Sequence, residues 1–249
     1  MKKALPIVML GAALGSAAVF AACGSSAGSN TTTQASTSAA ETTTASETTA
    51  ETPVVGGWIV NTDTEPHVSA DDEALFKKAA ESGNDPGLKP VACVATQVVA
   101  GTNHAFLCTD YDLAWKMVTV YEDLQGNAKI IGTFGINPSD IETADETESP
   151  DIVGGWTVSE DNGGILPDDA QKAFDDALKE YTGTSLKPIA LLATQLVSGT
   201  NYRVLCNGTA VTPDSKPSLY IADIYSDLNG HSQVSDVRNL KLTSYAGSN

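Results

Sequence analysis

Three histidines, a handful of thiols and many carboxylates are the side chains in this 249-residue chain whose chemistry could be catalytic or metal-binding. Their spacing argues against both. His67, His104 and His231 stand alone, with no Cys, Asp or Glu at a metal-ligand interval. No Gly-x-Ser-x-Gly elbow, phosphate loop or zinc signature occurs. The acidic residues gather in low-complexity stretches and at helix starts, where they are solvated charge. The expectation is a protein that is not an enzyme, with no catalytic residue, no metal and no cofactor.

The thiols divide by position. Met1 to Ala22 reads as a secretory signal: Lys2-Lys3, an apolar run from Ala4 to Phe20, then small residues. Cys23 follows and begins Cys-Gly-Ser-Ser, a junction that resembles a bacterial lipobox with Phe20 where that family prefers Leu. The resemblance implies lipidation of Cys23 and a protein held on the outer face of the cell envelope by its lipid alone. Cys93, Cys108 and Cys206 remain, an odd number that argues against a disulfide framework. A Cys93–Cys108 cross-strand bridge is possible, but free buried thiols are the expectation.

Net charge is −17, and it becomes more negative once a signal carrying Lys2 and Lys3 is removed. Such a field repels nucleic acid and anionic lipid, so nucleic-acid binding is not expected. The stretch after Cys23, to Pro53, is almost wholly Ser, Thr, Ala and Gly and reads as a solvated tether. A second low-complexity stretch, 138–151, carries Asp140, Glu142, Asp145, Glu146 and Glu148 and reads as a self-repelling linker.

What lies between and after the tethers is an internal repeat. Val55-Gly56-Gly57-Trp58 answers Val153-Gly154-Gly155-Trp156, and Leu88-Lys89-Pro90 answers Leu186-Lys187-Pro188. Gln97-Val98-Val99-Ala100-Gly101-Thr102-Asn103 returns 98 positions later as Gln195-Leu196-Val197-Ser198-Gly199-Thr200-Asn201. A period near one hundred is too long for a solenoid and implies two homologous domains in tandem, residues 54–137 and 152–249.

Each copy has the same grammar: a short extended segment, a helix, then four extended runs. In the second copy Ala170, Ala173, Phe174, Ala177, Leu178 and Tyr181 form an apolar stripe at helical spacing, behind Pro167 and Asp168-Asp169 as a start signal. In the first, Ser69 is the expected N-cap, with Asp72 three residues on and Gly83 at the stop. Hairpin tips are expected at Gly101 and Gly199, and again at Gln125-Gly126-Asn127 and Asn229-Gly230. The expected class is α+β, with two domains in which one helix packs on an antiparallel meander, each holding its own core. The run Val91 to Thr96 leaves open which of its alternating faces is inward.

The loops carry the functional signal. Val-Val-Gly-Gly-Trp, then Gln-Val-Val-Ala-Gly or Gln-Leu-Val-Ser-Gly about forty residues on, resemble the trunk and the Gln-x-Val-x-Gly loop of cystatins, protein inhibitors of papain-like cysteine peptidases. The Leu-Lys-Pro run and the Thr-Asn after the loop are similar to plant cystatins. The resemblance spans both repeats and implies a cystatin-like fold for each. It also implies a wedge filling a peptidase cleft: Gly56 and Gly57, then Gln97, Val98, Val99, Ala100 and Gly101, then Leu124 in the second hairpin. The second copy would use Gly154, Gly155, Gln195, Leu196, Val197, Ser198, Gly199 and Leu228.

One departure is plain. The family presents Pro-Trp in the second loop, whereas these turns read Asp123-Leu124-Gln125-Gly126 and Asp227-Leu228-Asn229-Gly230. The implied partner is a papain-like peptidase met by a monomer. The alternative is a non-inhibitory envelope module that binds another protein or a peptide, or serves structure, since a scaffold does not dictate its use.

Overall fold

A computed structural model describes residues 56–63, 67–83, 87–138, 155–160 and 164–244. The signal, Cys23, the tether, Gly154 and most of the acidic linker lie outside the described residues. Among those described, no helix is long and apolar enough to cross a membrane.

Strands dominate because the Val/Ile/Leu/Thr/Tyr runs are long and close in short glycine turns. The first repeat contributes β1 (Trp58–Val60), α1 (Ala70–Ser82), β2 (Lys89–Val99), β3 (Gly101–Thr109), β4 (Trp115–Glu122) and β5 (Ala128–Gly135). The second contributes β6 (Trp156–Val158), α2 (Asp168–Ala177), β7 (Thr184–Val197), β8 (Gly199–Ala210), β9 (Ser218–Asp227) and β10 (Ser232–Leu240), then a short 3-10 turn, Leu242–Ser244. The strands form two five-stranded antiparallel sheets, ordered β1-β2-β3-β4-β5 and β10-β9-β8-β7-β6.

Helix starts follow their local signals. Ser69 caps α1 in a full capping box: its hydroxyl accepts from the Asp72 N–H at 3.1 Å, and the Asp72 carboxylate accepts from the Ser69 N–H, also at 3.1 Å. Gly83 stands at the C-cap. In the second repeat Pro167 precedes α2, which ends at Ala177, so Leu178 and Tyr181 lie beyond its last turn yet still pack on the same cluster.

The α+β expectation of two helix-on-sheet domains is corrected here. Of the described residues 52% are strand and 15% helix, so the fold is β-rich, built on two five-stranded sheets. The described residues all fall in one compact unit. Its largest apolar cluster belongs to both repeats: Val94, Leu107, Trp115 and Met117 of the first pack with Leu192, Leu205, Leu219 and Ile221 of the second. The helices cover the other faces through separate clusters, Phe76 and Ala79 on Cys93, Phe106 and Val118, and Phe174 and Ala177 on Val204 and Cys206.

The physical reason is that each sheet is apolar on both faces, and one short helix covers only one of them. Burying the second face requires the other sheet. The strand β2 records this directly, since Val91 through Val94 are all buried. Register shifts between Pro90 and Ala92 and between Cys93 and Ala95 put Val91, Ala92, Val94 and Ala95 in the shared core, while Cys93 faces α1. Simple alternation, which groups Val91 with Cys93, fails at these bulges.

Polar groups fasten the contact between sheets. The indole N–H of Trp115 donates to the Leu192 carbonyl at 3.0 Å, and Asn207 Nδ2 donates to the Asn61 carbonyl at 3.0 Å. Arg203, 1% exposed, grips Asp223 through two bonds of 2.7 Å, lies 4.0 Å over the Trp156 ring, and donates to the Pro138 carbonyl. Asp223 also accepts from Arg238 at 2.8 Å.

Candidate functional site

Antiparallel order alone decides where the loops fall. The segment entering β1, the β2–β3 hairpin and the β4–β5 hairpin all lie at the same end of the first sheet, because β1 begins where β2 ends and β4 ends beside the start of β3. Trp58 faces Gln97, Val99 faces Gly101, and Thr102 faces Glu122. The second sheet repeats the arrangement, with Trp156 opposite Gln195, Val197 opposite Gly199, and Gly199 opposite Asp227.

Each edge is tied by the same side chains. Asn103 Nδ2 donates to Gln97 Oε1 at 2.8 Å, and Asn201 Nδ2 to Gln195 Oε1 at 2.8 Å. Gln97 Nε2 donates on to the Gly56 carbonyl at 2.9 Å, and the Gly56 N–H donates to the Val98 carbonyl at 3.2 Å. The Tyr121 hydroxyl donates to the Ala100 carbonyl at 2.5 Å, and Tyr225 to the Ser198 carbonyl at 2.7 Å. Gln97 is therefore a strut that holds trunk and tip together in the first repeat. The tips are Ala100 and Ser198, both exposed.

The second hairpins are Asx-braced turns. Asp123 Oδ1 accepts from the N–H groups of Gln125 and Asn127 at 2.9 and 2.8 Å, and Asp227 Oδ1 from those of Asn229 and His231 at 2.8 and 2.9 Å. Both carboxyls sit below the usual carboxylate range, Asp123 chiefly through its bond from the Asn127 side chain and Asp227 chiefly through the His231 N–H. The acidic residue beside each tip is thus turned into its own loop. Gly126 and Gly230 take φ of 79° and 80° to close these turns.

Bracing the turns leaves the leucines outside. Leu124 is 80% exposed and Leu228 84%, with Leu196 at 74% and Val98 at 36% along the same edges. Val99 and Val197 are half-buried, and Val99 and Ala100 line a shallow groove with Tyr121 and Lys129. Each loop end thus leaves two apolar side chains exposed, Val98 and Leu124 in the first repeat and Leu196 and Leu228 in the second.

The glycines separate into two kinds. At Gly101 and Gly199, with φ of 126° and 138°, a Cβ would overlap the carbonyl oxygen of Glu122 or Ser226, so the sheet itself demands glycine. At Gly56 and Gly155 an added Cβ meets nothing within 4 Å, and Gly155 has no positive φ to excuse it. The fold gives no steric reason for glycine at Gly155.

The two edges lie at opposite ends of the molecule. Trp58, at the loop end of the first sheet, shares a cleft with Leu219 and Leu242 at the far end of the second. Reciprocally, Pro138, just past β5 at the far end of the first sheet, meets Arg203, which stacks on Trp156 near the loop end of the second. The repeats are therefore packed head to tail.

The thiols take no part in these edges. Cys93, Cys108 and Cys206 are buried thiols. Burial pushes the Cys93 thiol well above its usual range, with the Asp72 charge adding to it, and burial alone does the same at Cys206. Neither is a nucleophile in this state. Sequence spacing did not reveal one grouping: Asp72, Cys93 and His104 converge beneath α1 although no ligand interval joins them. Only the β2–β3 register under the helix brings them together. No protein-family model matches the chain, and no curated protein matches it.

Proposed function

We propose that this protein is a reversible inhibitor of papain-like cysteine peptidases, displayed from the cell envelope on a lipidated tether and presenting one apolar loop edge at each end of its β-rich body. The observation that supports the reading most is the convergence, in both repeats, of trunk, first tip and second turn on one edge with the leucines outward. The resemblance of Gly-Gly-Trp and Gln-x-Val-x-Gly to cystatin motifs supplies the partner class. Glycine at Gly155, which the interior does not need, fits a trunk that must lie close against another protein. The body itself does no chemistry in this reading; exposed apolar loops are desolvated against cleft walls, and no peptide bond is offered to the peptidase.

Leu124 and Leu228 bury less surface than the family's Trp, so affinity is expected to fall short of a tight inhibitor's. Opposite edges imply that two peptidases bind one chain without obstructing each other. The test is titration of papain against the full chain with a fluorogenic substrate. Competitive inhibition reaching two enzymes per chain is expected. No inhibition at about tens of micromolar would sink the reading. Val99→Asp combined with Val197→Asp is expected to raise the inhibition constant ~30-fold or more with unchanged far-UV circular dichroism.

A second reading has one observation in its favour. The glycines of the two Gln-x-Val-x-Gly segments are fully explained by strand packing. A non-inhibitory module that uses the same edges for another protein or peptide is what remains if papain is not inhibited.

A further inference from the structure

Beneath α1 the first repeat gathers a carboxylate, a thiol and an imidazole from three different elements. Asp72 comes from the first turn of the helix, Cys93 from the helix-facing side of β2, and His104 from β3. Their ligand atoms all lie within 4.8 Å of one another. His104 is mostly buried, and neither of its ring nitrogens has a hydrogen-bond partner. Its ring lies alongside Phe106, with centroids 6.4 Å apart, and Glu122 Oε2 approaches Nε2 only to 3.5 Å. A buried Nδ1 with no partner, beside an Nε2 held only by this long contact, is costly unless something binds the ring.

The fold does not require this grouping. In the gapless register of the repeats, the equivalent positions of the second copy are Ala170, Leu191 and Tyr202. All three are buried, and the Tyr202 hydroxyl donates to Asp169 at 3.2 Å. The same helix-on-sheet contact is thus filled in one repeat by apolar side chains and a satisfied phenol. In the other it is filled by one oxygen, one sulfur and one nitrogen donor.

We propose that Asp72, Cys93 and His104 bind one divalent transition-metal ion of the zinc class. The mixed sulfur, nitrogen and oxygen donor set suits zinc, not calcium or magnesium, which take oxygen ligands. With water in the fourth position charge balances as well: one thiolate and one carboxylate neutralise a divalent ion. On binding, the metal–sulfur bond replaces the sulfur–hydrogen bond, and the proton leaves to solvent. Asp72 keeps its capping role, since one of its oxygens, Oδ2, takes both bonds from Ser69, at 3.1 and 2.6 Å. The fourth position falls to water or to Glu122, whose carboxylate is also placed to orient the imidazole. The ion would pin the helix start to β2 and β3. This site is independent of the loop edges and of what they bind.

The experiment is a Co²⁺ titration of the full chain after chelator treatment. The expected result is a near-ultraviolet thiolate-to-cobalt band saturating at one equivalent, displaced by Zn²⁺, with a melting temperature raised by roughly 5 °C at saturating Zn²⁺. Cys93→Leu and His104→Tyr borrow the second repeat's residues and so suit this packing; each is expected to abolish the band and the thermal shift. Asp72→Asn keeps a capping acceptor and is expected to weaken cobalt binding ~10-fold or more. A wild-type chain with no band at several equivalents would overturn the proposal. So would a band that survives in Cys93→Leu, because the sulfur would then come from another cysteine.

Discussion

The two repeats agree at their edges and differ in their interiors. At the edges the same Gln–Asn strut, the same Tyr bond to the tip carbonyl and the same Asp-braced turn occur twice, with lengths matching within about 0.2 Å. Inside, Ala105 and Thr119 of the first sheet are replaced at the same register by Arg203 and Asp223 of the second. The metal-type cluster of the first has become Ala170, Leu191 and Tyr202 in the second. A duplication too recent to have diverged would leave interiors alike. Here the interior has been rebuilt while the edge kept its bonds, and those bonds fix the loop edge on which the proposed function rests.

The asymmetry inside has a mechanical meaning. Arg203 reaches across to the Pro138 carbonyl, so the second repeat clamps the exit of the first. The largest expected effect follows. Asp223→Ala takes the carboxylate from the buried Arg203 guanidinium, while Arg238 keeps Asp236 at 3.2 Å, and should cost about 3–5 kcal/mol in denaturant unfolding. Thr119→Ala, its counterpart in the first sheet, should cost about 1 kcal/mol or less. Equal losses from the two substitutions would remove the asymmetry. A single unfolding transition is expected for the shared core, and two separated transitions would break it.

Next in size are the glycines that separate internal need from external need. Gly101→Ala and Gly199→Ala should each destabilise by roughly 2 kcal/mol, because a Cβ overlaps the neighbouring strand and φ is positive. Gly155→Ala should leave stability within about 0.5 kcal/mol while weakening peptidase binding at the second edge. If Gly155→Ala leaves binding untouched, the trunk is not part of the contact.

The smallest expected effect is acid loosening of the second turns. The Asp123 and Asp227 carboxyls are held below their ordinary value, so their support is complete above an unfolded carboxylate pKa of about 3.9. It is lost as pH falls through the lower folded values. Amide exchange at Asn127 and at His231, both bonded to these carboxylates, should therefore speed up only below about pH 4, and in both repeats alike. Acceleration in one repeat alone would show that the two turns are not equivalent.

Local chemistry was legible from the chain itself. The capping box of Ser69 and Asp72, the stop at Gly83 and the glycine turns at Gly126 and Gly230 depend on neighbours within a few residues, and each stands where its residues say. The repeat with its 98-residue register was equally plain, and antiparallel order then brings trunk and both hairpins to one end. What the chain alone did not disclose was the second face of each sheet. Val91 through Val94 already form the unbroken apolar run of a strand buried on both sides, yet a run of that kind does not name what covers it. Only tertiary packing decided that the cover is the other repeat, turned head to tail so that the loop edges point apart. The same packing brought Asp72, Cys93 and His104 together, because contact across a helix and two strands depends on register and bulges that no local spacing encodes.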